Sequence, residues 1–134
     1  MAEKLHRFIN PDSISRPTGY SHVADTRGSH TLYISGQIAL DQQGNVVGVD
    51  DMQAQAEQVF QNLQAALAAA GASFEDVVKL TYYVVDMAQF QVVRDVRARY
   101  LNPDRLPAST AVEVDGLVQE DLLIEVEAIA VLEN

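Results

Sequence analysis

The sequence predicts an α+β domain in which a sheet of five or six strands carries two helices on one face. Three observations lead there. Two segments repeat apolar residues every three or four positions, while the other apolar segments alternate at a period of two. These elements interleave along the chain, and no repeat, linker or biased stretch separates them. The chain has 134 residues, 48% hydrophobic and 21% charged, which suits one compact domain over residues 1–134 and argues against disorder.

Lys4 to Ile9 reads as a short first strand, stopped by Asn10-Pro11-Asp12. Ser21 to Arg27 and Thr31 to Ser35 are β-prone runs joined by Gly28-Ser29-His30, a connection of hairpin type. Asp41 to Val49 is a turn region with Gly44-Asn45 and Gly48. The long helix that follows places Ala56, Val59, Phe60, Leu63 and Leu67 on one stripe; Asp50 with Gln53 suggests a capping box and Gly71 a left-handed stop. Val77 to Val85 is a strand with apolar residues on both faces, interrupted by Lys79.

A second helix over Ala88 to Leu101 buries Phe90, Val93, Val96 and Tyr100, exposes Arg94, Asp95 and Arg99, and spaces the last two for an i,i+4 pair. Asn102-Pro103 ends it. Thr110 to Val114 and Leu122 to Leu132 are the closing strands. Two helices cover one face of such a sheet, and a strand apolar on both faces needs both covered. Another copy of the chain is the economical cover, so a homo-oligomer is expected.

Nine Lys and Arg against nineteen Asp and Glu give a net charge of -10, which repels nucleic acid and anionic membrane alike. With no Cys, disulfides, thiolate metal sites and cysteine nucleophiles are excluded. No apolar run has the length of a membrane span and no address precedes the first turn, so the cytoplasm is the expected location. No Gly-x-Ser-x-Gly elbow, Walker sequence or dinucleotide glycine pattern is present, and His6, His22 and His30 lack metal-ligand spacing. Neither a cofactor nor a metal is expected.

Candidate chemistry is concentrated in three places. The last strand puts Glu125 and Glu127 on one face with Ile129 and Val131, a setting for either a paired rim carboxylate or a proton-transfer group. Ser35-Gly36-Gln37 ends a strand where a ligand can approach the backbone. Arg94, Arg97, Arg99 and Arg105 are the one basic concentration, suited to a solvated face or to a small carboxylate.

Taken in order, Thr18-Gly19-Tyr20, Ile34-Ser35-Gly36-Gln37, Ala68-Ala69-Ala70-Gly71, Pro107-Ala108-Ser109-Thr110-Ala111-Val112-Glu113-Val114 and Ile124-Glu125-Val126-Glu127-Ala128-Ile129-Ala130 resemble the Rid, or YjgF-like, family. The resemblance implies a chorismate-mutase-like α+β fold: a mixed sheet of about six strands with two helices on one face, assembled as a homotrimer around a central barrel, with ligand clefts between subunits. It implies cofactor-free hydrolysis of reactive imines and enamines, such as 2-aminoacrylate, to 2-oxo acids and ammonia. Some members have been described as ribonucleases or translation inhibitors, and others have no known activity.

Residue by residue, the cleft tyrosine of deaminating members matches Tyr20, the serine Ser35 and the glutamate beside the attacking water Glu125. Ser109 and Ala111 lie along the matching cleft segment. The arginine that clamps the substrate carboxylate does not match, because Ser109 occupies its place. Arg105 lies four residues upstream, and Arg94 stands where such members often carry Asn. A guanidinium-carboxylate contact is worth about 1.5 to 3 kcal/mol, roughly ten to a hundredfold in binding. Two classes therefore remain open: a deaminase holding a small carboxylate-bearing substrate, and a trimer that binds ligand without chemistry.

Overall fold

The computed structural model describes residues 5–134. Six strands form: β1 (His6–Ile9), β2 (Val23–Thr26), β3 (His30–Ile38), β4 (Val77–Val84), β5 (Ala108–Glu113) and β6 (Ile124–Leu132). The helices are α1 (Met52–Ala69) and α2 (Phe90–Arg97). The last four strands make one mixed sheet in the order β3-β6-β4-β5, antiparallel except for the β4/β5 pair, and β1 with β2 makes a separate antiparallel ribbon. The predicted Lys4 start of the first strand lies outside the described residues.

The α1 stripe is buried as its periodicity requires, with Ala56, Val59, Phe60, Leu63 and Leu67 all inaccessible. It packs on Leu80, Tyr82 and Val84 of β4 and on Ile124, Val126, Ala128 and Ala130 of β6. The alternate residues of those strands, Lys79, Thr81, Tyr83, Glu125, Glu127 and Ile129, remain half-exposed on the other face. Two polar side chains, buried Gln55 and half-buried Asn62, fix this arrangement. Gln55 donates to Gly48 O and Asp121 O and accepts from Leu123 N, tying the loop before α1 to the entry of β6. Asn62 donates to Ile38 O and Leu40 O, holding α1 to the end of β3.

Four local expectations are corrected. The runs flanking Gly28-Ser29-His30 do not form a hairpin, since β2 pairs with β1 and β3 with β6. The connection crosses the end of β6 instead: a Cβ at Gly28 would overlap Leu132 O, and the Ser29 hydroxyl donates to Glu133 O. The cap of α1 is Asp51, which accepts from Ala54 N at 3.1 Å; Asp50 takes φ 58 in the turn closed by Asp51 N donating to Gly48 O. α2 is only 8 residues long, preceded by a 3-10 turn over Met87–Gln89. Its shortness removes the Asp95–Arg99 pair: Arg99 reaches Glu57 of α1, and Asp95 accepts from Gln91. Gly71 does supply the left-handed stop, at φ 77.

Candidate functional site

The β5 edge carries one cluster. Register places Ser109 opposite Leu80 and Ala111 opposite Tyr82, so both side chains belong to the helix-covered face. The segment before β2 runs beside them, held by Ser21 N donating to Pro107 O at 3.0 Å and by a parallel bridge from Ser21 to Ala108. From α2, Phe90, Arg94 and Arg97 project toward the same place, at helical spacings of four and three. Together Thr18, Tyr20, Phe90, Arg94, Arg97, Ser109 and Ala111 enclose a cavity of about 230 Å³. A neighbouring cavity of about 510 Å³ shares Thr18, Arg94 and Arg97 and continues toward Leu101, Pro103 and Leu106.

The two α2 arginines differ. Arg94 is exposed, its guanidinium 5.1 Å from the Phe90 ring centroid and donating to Gln91 Oε1 at 3.3 Å. Arg97 is 7% exposed, its guanidinium 5.8 Å from the ring centroids of both Tyr82 and Phe90. It donates to Thr18 O at 3.5 Å, and among the described residues no carboxylate pairs with it. Gly19, at φ 79, lies flat against it, and a Cβ there would overlap the guanidinium. Burial pushes the Tyr82 hydroxyl up to about 12 against the pull of Arg97, so Tyr82 stays neutral beside this cation.

A second cluster stands on the open face. β3 and β6 change register between Ile34 and Gln37, which leaves Ser35 and Gly36 in an irregularity opposite β6. Glu125, paired with Ile38 on one side and Tyr83 on the other, lays its carboxylate across Gly36, where a Cβ would overlap it. Ser35 is exposed beside this point. Glu127 is occupied otherwise: it accepts from Tyr83 Oη at 3.1 Å, which raises the Tyr83 hydroxyl above its ordinary value.

The predicted residues thus divide. Tyr20, Arg94, Ser109 and Ala111 meet in the edge cavity, and Ser35 and Glu125 meet on the open face. Because Tyr82 and Tyr83 are adjacent in β4 and their partners Ala111 and Glu125 follow them to opposite faces, one subunit does not unite the two groups. Arg105 lies apart from both, its guanidinium 5.3 Å from the Phe8 ring centroid. Sequence reasoning counted Arg97 in a basic concentration and passed over it. Its position four after Val93 and seven after Phe90, on the buried stripe of α2, is the signal that marks it. Among the described residues no group of three His, Asp or Glu is placed to hold a metal ion, and no helix is long and apolar enough to cross a membrane.

A mixed sheet covered on one face by two helices, with a small polar cavity at its parallel edge, defines a class of compact α+β proteins. The family described as Endoribonuclease L-PSP matches residues 12–132, and the chain belongs to it, the YjgF/Rid family. A RutC family protein of Pyrococcus horikoshii is 41% identical over 127 residues, covering 94% of this chain and 98% of its own. The 3-aminoacrylate deaminase RutC of Acinetobacter baylyi is 35% identical over 123 residues, covering 92% and 95%. A Rid-family protein of unknown function from Yersinia pestis has the same fold, with TM-score 0.89 and 36% identity over 95% of this chain and 98% of its own.

Proposed function

We propose that the chain is a hydrolytic deaminase of reactive imines or enamines bearing a carboxylate, working as a homotrimer in the cytoplasm without cofactor or nucleic acid. One observation carries the reading: the Glu125 carboxylate is held across the Gly36 backbone, beside Ser35, with no cation or hydrogen-bond donor engaging it among the described residues. A carboxylate so placed can take a proton from water as the oxygen attacks the imine carbon. It can return that proton to nitrogen and then take up the hydroxyl proton of the carbinolamine as the C=O bond forms and the C–N bond breaks, releasing a 2-oxo acid and ammonia. The division of site residues between two sheet faces supports a cleft made by two subunits. One would present Glu125 and Ser35, the other the edge cavity with Tyr20, Arg94, Ser109 and Ala111. The deaminase named among the relatives supports the same chemistry.

The test generates the imine with a lyase in the cuvette and follows its decay. Wild type should accelerate hydrolysis, and Glu125→Gln should lose roughly a hundredfold or more, the usual scale for a general acid–base group. Wild type that binds 2-oxo acids but leaves the imine decay unchanged would replace this reading with that of a non-catalytic ligand-binding trimer.

A further inference from the structure

We infer that Arg97 is the carboxylate anchor of the edge cavity, delivered from helix α2 to replace the strand arginine that position 109 lacks. The inference rests on the proposed small-carboxylate reading and names the residue that sets its specificity. A guanidinium cannot lose its charge, so burying one without a counter-ion leaves a standing demand for an anion. Arg97 makes that demand. It is 7% exposed, has no carboxylate partner among the described residues, and is held by two ring faces and one carbonyl, none of which neutralises it. Tyr82 is not the counter-charge, because burial keeps its hydroxyl protonated.

The surroundings select a small anion. Ser109 and Ala111 are short, so the cavity of about 230 Å³ in front of Arg97 stays open, where an arginine at 109 would fill it. Gly19 brings backbone against one edge of the guanidinium and thereby fixes its plane, since any Cβ there would displace it. A carboxylate entering past Tyr20 meets a preset fork, which a freely moving surface arginine does not offer. Arg94 lines the same cavity but is exposed and engaged by Gln91 on its own helix. Arg105 is not in the cavity at all.

The test is calorimetric binding of 2-oxobutanoate and of its uncharged analogue 2-oxobutanamide, with oligomer content checked by sedimentation. Wild type should prefer the acid by roughly tenfold or more, the discrimination one charge-assisted fork supplies. Arg97→Gln should remove that preference, and Arg97→Lys should restore part of it. Equal binding of acid and amide by wild type overturns the inference, whatever the variants do, so it stands or falls even if Arg97→Gln fails to assemble. A preference that survives Arg97→Gln, or that is lost in Arg94→Gln instead, also overturns it. Wild type that binds the acid through Arg97 but does not hydrolyse the imine supports the anchor and refutes the deaminase. Hydrolysis with KM indifferent to Arg97→Gln does the reverse.

Discussion

The two faces of the four-stranded sheet are written by alternate residues of the same strands, yet they do opposite things. On the helix-covered face Leu80, Tyr82, Val84 and Val126 are fully inaccessible. On the other face Lys79, Thr81, Tyr83, Glu125 and Glu127 are half-exposed, with Tyr83 Oη donating to Glu127 and Lys79 Nζ donating to Thr110 Oγ1 at 2.7 Å. A register slip that exchanged the faces of β4 would bury Lys79, and one that exchanged those of β6 would bury Glu125 and Glu127. The difference teaches that the buried core is confined to one side of the sheet, which leaves the side chains of the other face outside it.

The largest effect that tests this division is on stability. Leu80→Ala removes a fully buried side chain between α1 and the sheet and should cost about 2 to 5 kcal/mol. Thr81→Ala, one residue away on the open face, should stay within about 0.5 kcal/mol. Chemical unfolding of both variants reads the contrast, and equal losses would mean that the open face carries the fold too. The next effect concerns assembly. Tyr33 is 80% exposed and pairs in register with Ile129, giving the open face its apolar centre. If the proposed trimer forms through this face, Ile129→Asp should convert it to monomers in sedimentation while leaving far-UV circular dichroism intact; a trimer that persists would locate the subunit contact elsewhere.

Chemistry supplies the third contrast. Gly36→Ala pushes the Glu125 carboxylate off the β3 backbone. Imine hydrolysis should fall by about tenfold or more through kcat, with little change in Tm; unchanged turnover would mean that the position of Glu125 does not matter. Ser109→Arg looks like a restoration when only the sequence is considered. With Arg97 already lining the same cavity of about 230 Å³, a second guanidinium should instead weaken 2-oxobutanoate binding and lower Tm. Improved binding would show that Arg97 is not doing the work of an anchor.

How far the sequence foretold this molecule follows from how local each determinant is. The α1 stripe, its stop at Gly71 and the alternation of β4 and β6 are set by neighbours in the chain, and the structure keeps them. The pairing of β2 was not legible, because its choice of β1 depends on the distant end of β6 occupying the space at Gly28. The side-by-side placement of Ser35 and Glu125 depends on a register change between Ile34 and Gln37 that no local pattern announces. Arg97 was legible only as a helix position. Its meaning comes from Gly19, which is 78 positions away in sequence and whose missing side chain makes room for the guanidinium.

The smallest effect probes a third region, the β1–β2 ribbon, and asks whether its interior excludes charge as the helix-covered face does. His6 is 3% exposed, and its Nδ1 lies 2.9 Å from Thr26 Oγ1. Burial, and then the Arg105 cation, lower its pKa from the ordinary 6.5. The folded chain therefore holds neutral histidine where the unfolded chain would already take a proton. Above pH 6.5 both states are neutral at this position and the His6 contribution is complete; as pH falls below 6.5 the unfolded state binds the proton first, and that contribution drains away until the folded pKa is passed. The nineteen carboxylates also titrate on acidification, so the informative quantity is a difference between two proteins that share them. Wild type and His6→Gln should be compared by Tm at pH values from about 7.5 down to about 5.5, where His6→Gln lacks the titrating group. The wild-type advantage should shrink steadily across that range. An advantage that stays constant or grows toward acid would mean that His6 keeps its proton in the folded chain, and that the ribbon, unlike the covered face, admits charge.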